Sequence, residues 1–288
     1  MKTLKKTLPD AKNISLHIIE TCKYEHQNSL EERRQAPSCG GSMNSVSFGI
    51  FISNIDQERF GIKTARAVDL TTANLPFVLD FCISHDVKLL IARCSISDLD
   101  AAQSMEKQGF LLMDTLVYYT FDLVQRPVSC AVCNVNFRPI RAGEAPSIER
   151  VAVESFRSYF GHYHADKKLD KKKCDEVYVD WAKKACQANG ADENFLVADI
   201  QDQIVAFGVF RLNSLDEGEL FLGGIHPEYQ GQGIYQSFLH RAVEWCLSKN
   251  AKRMIISTQL NNVAVQKVLT KFGFEITRGC YTFHKWFD

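Results

Sequence analysis

Residues 220–239, LFLGGIHPEYQGQGIYQSFL, restrict the fold of this chain more than any other stretch. Leu220 to Ile225 has the apolar composition of a buried strand. Gln230-Gly231-Gln232-Gly233 is a polar, glycine-rich turn, and apolar residues then recur at helical spacing from Ile234 to Lys249. The segment therefore predicts a strand, a turn and a helix, and indicates an α/β protein.

The glycines of this turn also make it a candidate anion site. A helix that starts after such a turn has several unpaired backbone N–H groups and a partial positive charge at its start. Glycine lets the backbone approach an anion closely because it has no Cβ. The turn therefore indicates a site for phosphate or pyrophosphate, and a purely structural turn is the alternative.

Two motifs, in this order, resemble those of the GNAT acetyltransferase superfamily. The turn resembles the family's acetyl-CoA signature, Gln/Arg-x-x-Gly-x-Gly/Ala, because Gln230 and Gly233 match it, although Tyr235 departs from it. Asn262-Val263-Ala264 with Lys271-Phe272-Gly273-Phe274 resembles the family's Asn-x-x-Ala…Gly-Phe element. The resemblance implies the GNAT fold, an α/β (α+β) architecture with a mixed central sheet flanked by helices.

The same resemblance implies acetyl-CoA as co-substrate. Backbone groups of Gly223, Gly224 and Ile225 would pair with the pantetheine arm, and Asn262 would hydrogen-bond the arm near the thioester. For Asn262, a pure helix cap is the alternative. The pyrophosphate would be held by N–H groups of the turn and of the first helical residues, namely Gln230, Gly231, Gln232, Gly233, Ile234 and Tyr235.

Acetyl transfer to an amine needs a base for the amine, and the departing thiolate benefits from an acid. Glu219 lies where the histone-type branch of the family has its catalytic glutamate, and strand alternation places it on the face of Phe221 and Gly223. An ordinary strand-edge acid is the alternative. Leu269 replaces the family's usual acid, a tyrosine, so we expect Tyr281 as the acid, with Tyr235 and His284 as alternatives.

An internal repeat appears when the first half is shifted by 164 residues. Cys82 then falls on Cys246, Asp98 on Asn262, and Gly109 on Gly273. Asp98 and Asn262 are both good helix N-caps, and both glycines are good helix stops. The repeat predicts a truncated GNAT-like domain without a CoA loop at 1–122, a connector at 123–133 and a GNAT acetyltransferase domain at 134–288. Chance similarity between two βα units is the alternative.

The acceptor amine is indicated by the loop 158–166. With its truncated first half, the layout resembles the branch that contains dTDP-fucosamine acetyltransferase, although Tyr159 replaces an arginine of that branch. The resemblance implies an N-acetyltransferase acting on a small-molecule amine, such as a nucleotide-linked amino sugar. A protein or peptide acetyltransferase and a non-catalytic CoA-binding regulatory module are the alternatives. The candidate acceptor-binding residues are Tyr159, His162, His164 and Asp166, with a surface loop as the alternative.

Composition narrows the expected partners. The 34 basic and 34 acidic residues cancel, so no long-range field would recruit nucleic acid or an anionic membrane. No apolar run approaches the ~20 residues of a membrane span, and no signal peptide is evident. The ten cysteines are scattered, as in reduced cytoplasmic proteins, and the CxxC pair Cys130 and Cys133 has no second ligand pair. We expect a cytoplasmic monomer or homodimer without a metal site.

Some elements are less clearly marked. We expect strands at 45–52 and 60–68 joined through a link at 53–56, an irregular loop at 158–166, and two closing strands at 274–277 and 281–287.

Overall fold

The computed structural model describes residues 49–125, 135–189 and 194–288. The polar N-terminal segment, most of the expected connector, and Cys130 with Cys133 lie outside the described residues.

Within these ranges, ten strands form one mixed sheet. The strands are β1 (Gly49–Ile52), β2 (Thr64–Val68), β3 (Leu89–Ser95), β4 (Leu111–Asp122), β5 (Asn136–Pro139), β6 (Phe195–Ile200), β7 (Gln203–Ser214), β8 (Glu217–Ile225), β9 (Arg253–Gln259) and β10 (Glu275–Trp286). Their order in the sheet is β1-β2-β3-β10-β4-β9-β8-β7-β6-β5.

Eight helices connect these strands in the described ranges. They are α1 (Asn54–Phe60), α2 (Leu75–Ser84), α3 (Leu99–Lys107), α4 (Ala145–Phe156), α5 (His162–Ala165), α6 (Lys171–Asn189), α7 (Ile234–Ser248) and α8 (Val263–Phe272). The predicted mixed sheet flanked by helices is therefore confirmed.

The two halves of the chain exchange strands at the centre of the sheet. Strand β4, from the first half, lies between β9 and β10, and β10, from the second half, lies between β3 and β4. Leu116 pairs with Cys280, its counterpart under the 164-residue shift. The sheet therefore runs through both predicted domains without a break, and the boundaries at 122 and 134 stay a prediction.

The same shift also relates whole elements. The bounds of β3 map on those of β9, and the bounds of β4 map on those of β10. Asp98 and Asn262 accept hydrogen bonds from backbone N–H groups in the first turns of α3 and α8. Gly109 and Gly273 follow these helices with positive φ, at 80° and 111°. The local signals of the repeat therefore have matching structural counterparts.

The sheet has two covered faces. Helices α2, α3, α7 and α8 pack on one face, over the core that contains Phe283 and Met254. Helices α1, α4, α5 and α6 pack on the other, which we call the α4 face, and their core includes Phe60, Tyr163 and Leu222. Residues of both halves thus contribute to the α4 face.

Three sequence expectations differ from the structure. The link at 53–56 belongs to helix α1, which Ser53 caps and Gly61 ends in a left-handed conformation. The loop at 158–166 contains the short helix α5. The two expected closing strands are one strand, β10, because Gly279 is extended there, where a Cβ would lie 2.8 Å from Ile96 Cδ1.

Candidate active site

The parallel strands β8 and β9 pair with each other only where they begin. The register joins Glu217 to Arg253 and ends with Glu219 and Ile255. Beyond it β8 continues to Ile225 and pairs with β7, while β9 continues to Gln259 and pairs with β4. One edge of each strand is therefore available between them, and an extended chain can bind to such an edge by adding backbone hydrogen bonds. Gly223, Gly224 and Ile225 lie on this part of β8.

A bulge in β8 accompanies the loss of pairing. The register with β7 joins Val209 to Leu222 but Phe210 to Leu220, so Phe221 is the extra residue. A bulge bends its strand and increases the local twist. It also interrupts side-chain alternation, so the expectation that Glu219 shares a face with Gly223 fails.

The glycine turn follows β8 after one turn of 3₁₀ helix at Pro227–Tyr229. Gln230 Nε2 donates to the Ile225 carbonyl over 3.1 Å and ties the turn to the strand end. Gly231 and Gly233 have φ of 76° and 80°, a conformation that favours glycine. A Cβ at either position would have no heavy atom within 4 Å.

The backbone amides of the turn are available to a ligand. No acceptor in the described ranges takes the N–H groups of Gly231 to Tyr235, and Gly233 caps α7 without a side-chain hydrogen bond. Open space, unpaired donors and the positive end of a 15-residue helix coincide here. These features fit the diphosphate of CoA.

The Tyr235 side chain does not occupy this turn. It is 4% exposed and packs in the core under α7, with Ile234 beside it. Its hydroxyl has no hydrogen-bond partner among the described residues, and burial raises its pKa. The departure from Gly or Ala at this position therefore leaves the turn open.

Asn262 begins helix α8 at the end of β9. Its Oδ1 accepts from Val265 N over 3.4 Å, and its Nδ2 donates to Thr258 Oγ1 over 3.0 Å. The cap role predicted as the alternative is present, and it holds the side chain beside the opening between β8 and β9.

Glu219 lies at the last paired position before β8 and β9 separate. It is fully buried, and its Oε2 accepts from Arg211 Nε at 2.9 Å and Nη2 at 2.7 Å. A Cβ at the preceding residue, Gly218, would overlap Cys246 of α7, so Glu219 points the other way, to the α4 face. The carboxylate is held at the narrow end of the opening by a charge-assisted pair.

Residues 152–274 match a family model described as the Acetyltransferase (GNAT) family. The segment of the chain that contains the glycine turn and Asn262 is therefore similar to this family.

Two curated proteins of Bacillus subtilis (strain 168) are similar to parts of the chain. Spore coat polysaccharide biosynthesis protein SpsD is 24% identical over 148 residues, which are 51% of this chain and 50% of SpsD. A putative [ribosomal protein bS18]-alanine N-acetyltransferase is 31% identical over 71 residues, 24% of this chain and 47% of that protein. The chain thus spans about half the length of these relatives.

Solved structures share the fold at low sequence identity. A GCN5-related N-acetyltransferase from Sphaerobacter thermophilus has a TM-score of 0.59 at 12% identity, over 82% of this chain and 76% of that chain. A GCN5-related glucosamine N-acetyltransferase region of a fungal multi-domain GH3 β-N-acetylglucosaminidase has a TM-score of 0.57 at 12% identity, over 83% of this chain and 31% of that chain.

The α4 face carries a buried polar layer next to the opening. Gln259 Nε2 donates to the Tyr159 hydroxyl, which also accepts from the Tyr178 hydroxyl at 2.9 Å. Tyr159 and Gln259 are both nearly inaccessible to solvent. The sequence places Tyr159 in a loop, and no local pattern joins it to a strand end 100 residues away.

His162 and Asp166 meet through His284 of β10. His284 Nδ1 lies 2.7 Å from Asp166 Oδ2, and His284 Nε2 lies 2.8 Å from His162 Nδ1. Burial lowers the pKa of His284, whereas hydrogen bonds from His284, Lys168 N and Trp286 outweigh burial and lower the pKa of Asp166. A neutral His284 therefore donates from Nδ1 to the carboxylate and accepts from His162 at Nε2.

His164 has a more peripheral place than its neighbours. Its Nε2 lies 3.1 Å from Asp175 Oδ1, and Gly161 N donates to its Nδ1. Burial lowers its pKa, against the opposing effect of Asp175. It links α5 to α6, while His162 and Asp166 contact the sheet.

The structure does not bring Tyr281 to the opening. Tyr281 pairs with Cys94 and Thr115, and β4 separates its strand from β9. Its ring packs on the core under α2 and α3, away from the α4 face. Leu269 is fully buried in the core under α8. We therefore do not retain Tyr281 as the general acid.

In the described part of the first half, β2 and β3 have no opening equivalent to that between β8 and β9. Arg66 holds in β2 the register position that Glu219 holds in β8, and it forms a buried ion pair with Asp56 at 2.6 Å. After the four paired positions of β2 and β3, Leu70 N still donates to Arg93 O at 2.9 Å. The two strands thus stay joined where the second pair separates.

The described residues show neither a membrane-spanning helix nor a metal-binding cluster. No helix there combines the length and apolar character needed to cross a bilayer. No group of three or more His, Cys, Asp or Glu side chains there is arranged to hold a metal ion.

Proposed function

We propose that this protein is an acetyl-CoA-dependent N-acetyltransferase that acts on a small-molecule amine, an amino sugar in particular. The observation that carries the proposal is the separation of β8 from β9, which leads to a turn with unpaired amides at the start of α7. The members of the matched family use acetyl-CoA as the acetyl donor.

The binding roles follow from position. The edge of β8 at Gly223, Gly224 and Ile225 would hold the pantetheine arm, and Asn262 would contact it from the other side. The amides of Gly231, Gln232, Gly233, Ile234 and Tyr235 would hold the diphosphate. The Gln230 amide is not available for this role, because it donates to the Pro227 carbonyl over 3.2 Å. Glu219 would take the proton of the amine, directly or through water.

The acceptor is proposed to be small because the α4 face is covered. Tyr159, His162 and Asp166 are each at most 5% exposed, and they belong to α5 or lie next to it in the chain. Side chains buried to this extent do not line an open groove for a peptide, which favours a compact polar acceptor. The names of SpsD and of the glucosamine N-acetyltransferase region both refer to sugar chemistry, which supports an amino sugar as the acceptor.

A protein acetyltransferase is the second candidate. The similarity to the bS18-alanine N-acetyltransferase favours it, since this match has the higher identity of the two curated relatives. It would require α5 and α6 to move away from the sheet.

The first half is proposed to be a support rather than a second site. Its strands β2 and β3 remain joined, and β4 supplies the neighbour of β9.

The proposal is tested with wild-type protein by acetyl-CoA titration calorimetry and by thiol release. The acceptors are glucosamine, cyclohexylamine and a peptide with N-terminal alanine. Amine-dependent release of CoA, with acetylated glucosamine found by mass spectrometry, is the expected result. Binding of acetyl-CoA without release for any amine would indicate a regulatory module, and faster release with the peptide would favour the second candidate. Absence of acetyl-CoA binding would overturn the proposal.

A further inference from the structure

Two polar side chains of β9 lie just beyond the last residue that pairs with β8. Ser257 is fully buried and Gln259 is 4% exposed. Ser257 Oγ and Gln259 Oε1 have no hydrogen-bond partner in the part of the chain that the structure describes. Two buried polar atoms without partners on neighbouring positions of one strand are unusual, because such atoms are nearly always satisfied.

Both side chains point to the α4 face. Gln259 contacts Tyr159, which packs with α4 and α6. Met254 and Ile256 pack in the core under α7, so alternation places Ser257 on the same side as Gln259. Glu219 points to this face as well, from the adjacent strand.

The Gln259 amide directs its Nε2 to the Tyr159 hydroxyl. The Tyr159 hydroxyl already accepts from Tyr178, and it receives the Nε2 donor of Gln259. The Oε1 atom is therefore directed away from Tyr159. Residues two apart on a strand are about 6.6 Å apart, so one small group between the Ser257 and Gln259 side chains can contact both.

The loss of stability that comes from leaving these two atoms without hydrogen bonds argues that they bind a ligand. A buried polar group without a partner destabilises a protein by about 1–3 kcal/mol, and an apolar residue would avoid that cost. Sites of function commonly retain such features. The missing partner must be a hydrogen-bond donor, since Gln259 Oε1 can only accept.

We infer that Gln259 Oε1 and Ser257 Oγ accept hydrogen bonds from the two N–H groups of the acceptor's primary amine. The inference rests on the proposed function and identifies the subsite for the amine. It places the nitrogen between β9 and Glu219, beside the region where the thioester would lie. Primary amines are therefore preferred over N-methylated ones, which have lost one donor.

The test compares three variants with the wild type: Ser257→Ala, Gln259→Leu and Gln259→Glu. The matched control is Ser95→Ala, because Ser95 is the counterpart of Gln259 in the first half and is exposed. Acetyl-CoA affinity is measured by calorimetry, and kcat/KM with glucosamine and with N-methylglucosamine by thiol release.

We expect Ser257→Ala and Gln259→Leu each to lower kcat/KM for glucosamine about tenfold, the loss expected from one hydrogen bond. Gln259→Glu, which keeps the acceptor oxygen, should retain more activity than Gln259→Leu. The acetyl-CoA affinity of each variant should stay within about twofold of the wild-type value, because none of the substitutions removes a proposed contact with the cofactor. The preference for glucosamine over N-methylglucosamine should shrink in Ser257→Ala.

Thermal stability separates this role from a structural one. Ser257→Ala removes a buried polar atom without a partner, so its melting temperature should be unchanged or higher than that of the wild type. A lower melting temperature with unchanged kcat/KM would overturn the inference. Unchanged kcat/KM in both Ser257→Ala and Gln259→Leu would overturn it and leave the proposed function intact. If the wild type releases no CoA in the presence of any amine, both the inference and the proposed function are wrong.

Discussion

Gly233→Glu is the substitution that most directly tests the diphosphate site. Gly233 has a φ of 80°, and a Cβ there would have no heavy atom within 4 Å. Gly61 in the first half has a φ of 69° and equally open space. Gly61→Glu is therefore a matched control, because both variants impose similar backbone strain and add the same charge.

The expected magnitudes differ for stability and for binding. A left-handed conformation costs an L-residue about 1–2 kcal/mol, so both variants should melt a few degrees lower. At Gly233 the new glutamate also lies at the start of α7, where its interaction with the helix dipole stabilises the folded protein by about 0.3–1 kcal/mol. A carboxylate about 5 Å from two diphosphate charges is repelled by about 1.7 kcal/mol even at the dielectric constant of water, and by several times more near a protein surface.

Titration calorimetry with acetyl-CoA and thermal melting measure these effects together. Gly233→Glu should weaken acetyl-CoA binding by about 17-fold or more, which corresponds to that lower limit. Gly61→Glu should bind like the wild type. If Gly233→Glu bound acetyl-CoA with wild-type affinity, or if Gly61→Glu lost binding equally, the reasoning from the amides of the turn would be refuted.

Three further predictions concern the residues around the opening. Glu219→Gln should lower stability by about 3 kcal/mol, because Arg211 loses its counterion, and slow acetyl transfer about 100-fold; unchanged kcat/KM would exclude Glu219 as the base. Gly218→Ala should cost about 1–3 kcal/mol in urea unfolding by overlap with Cys246 Sγ, and adding Cys246→Ala should recover part of it; purely additive losses would contradict the overlap. Because burial lowers the pKa of His284, this imidazole takes up a proton more readily in the unfolded chain, so the free energy of unfolding should fall as pH drops below about 6.5. His284→Gln should make the decrease of this free energy with pH shallower, and an identical decrease in the variant and the wild type would disprove the argument.

The elements with strong local signals could be predicted from the sequence. Helices α2 and α3 and strand β6 have the bounds that their apolar periodicity indicates. Caps such as Asp98 and Asn262, and stops such as Gly109, act within a few residues of themselves. This is why the strand, turn and helix around Gln230 to Gly233 could be predicted with their chemistry.

Helix α1 has a capping residue and a stop residue that are both visible in the sequence. Ser53 accepts from Asp56 N, and Gly61 ends the helix, so its start and stop residues are both in the sequence. Helix α5 has only four residues, too few for any periodicity to show. Gly279 is a misleading signal, because glycine usually marks a turn, whereas this glycine lies inside β10 and allows close contact with the Ile96 side chain.

The sequence by itself determined the longer helices such as α2, α3 and α7, the glycine turn and the anion-binding character of the α7 start, because backbone preferences and caps act over a few residues. Only the tertiary structure decided that β4 and β10 exchange places, and that a bulge at Phe221 puts Glu219 and Gly223 on opposite faces of β8. It also joined Gln259 to Tyr159 and His284 to Asp166, across more than 99 residues of chain. Such partners are chosen by burial and strand register over the whole sheet, and no local pattern encodes that choice.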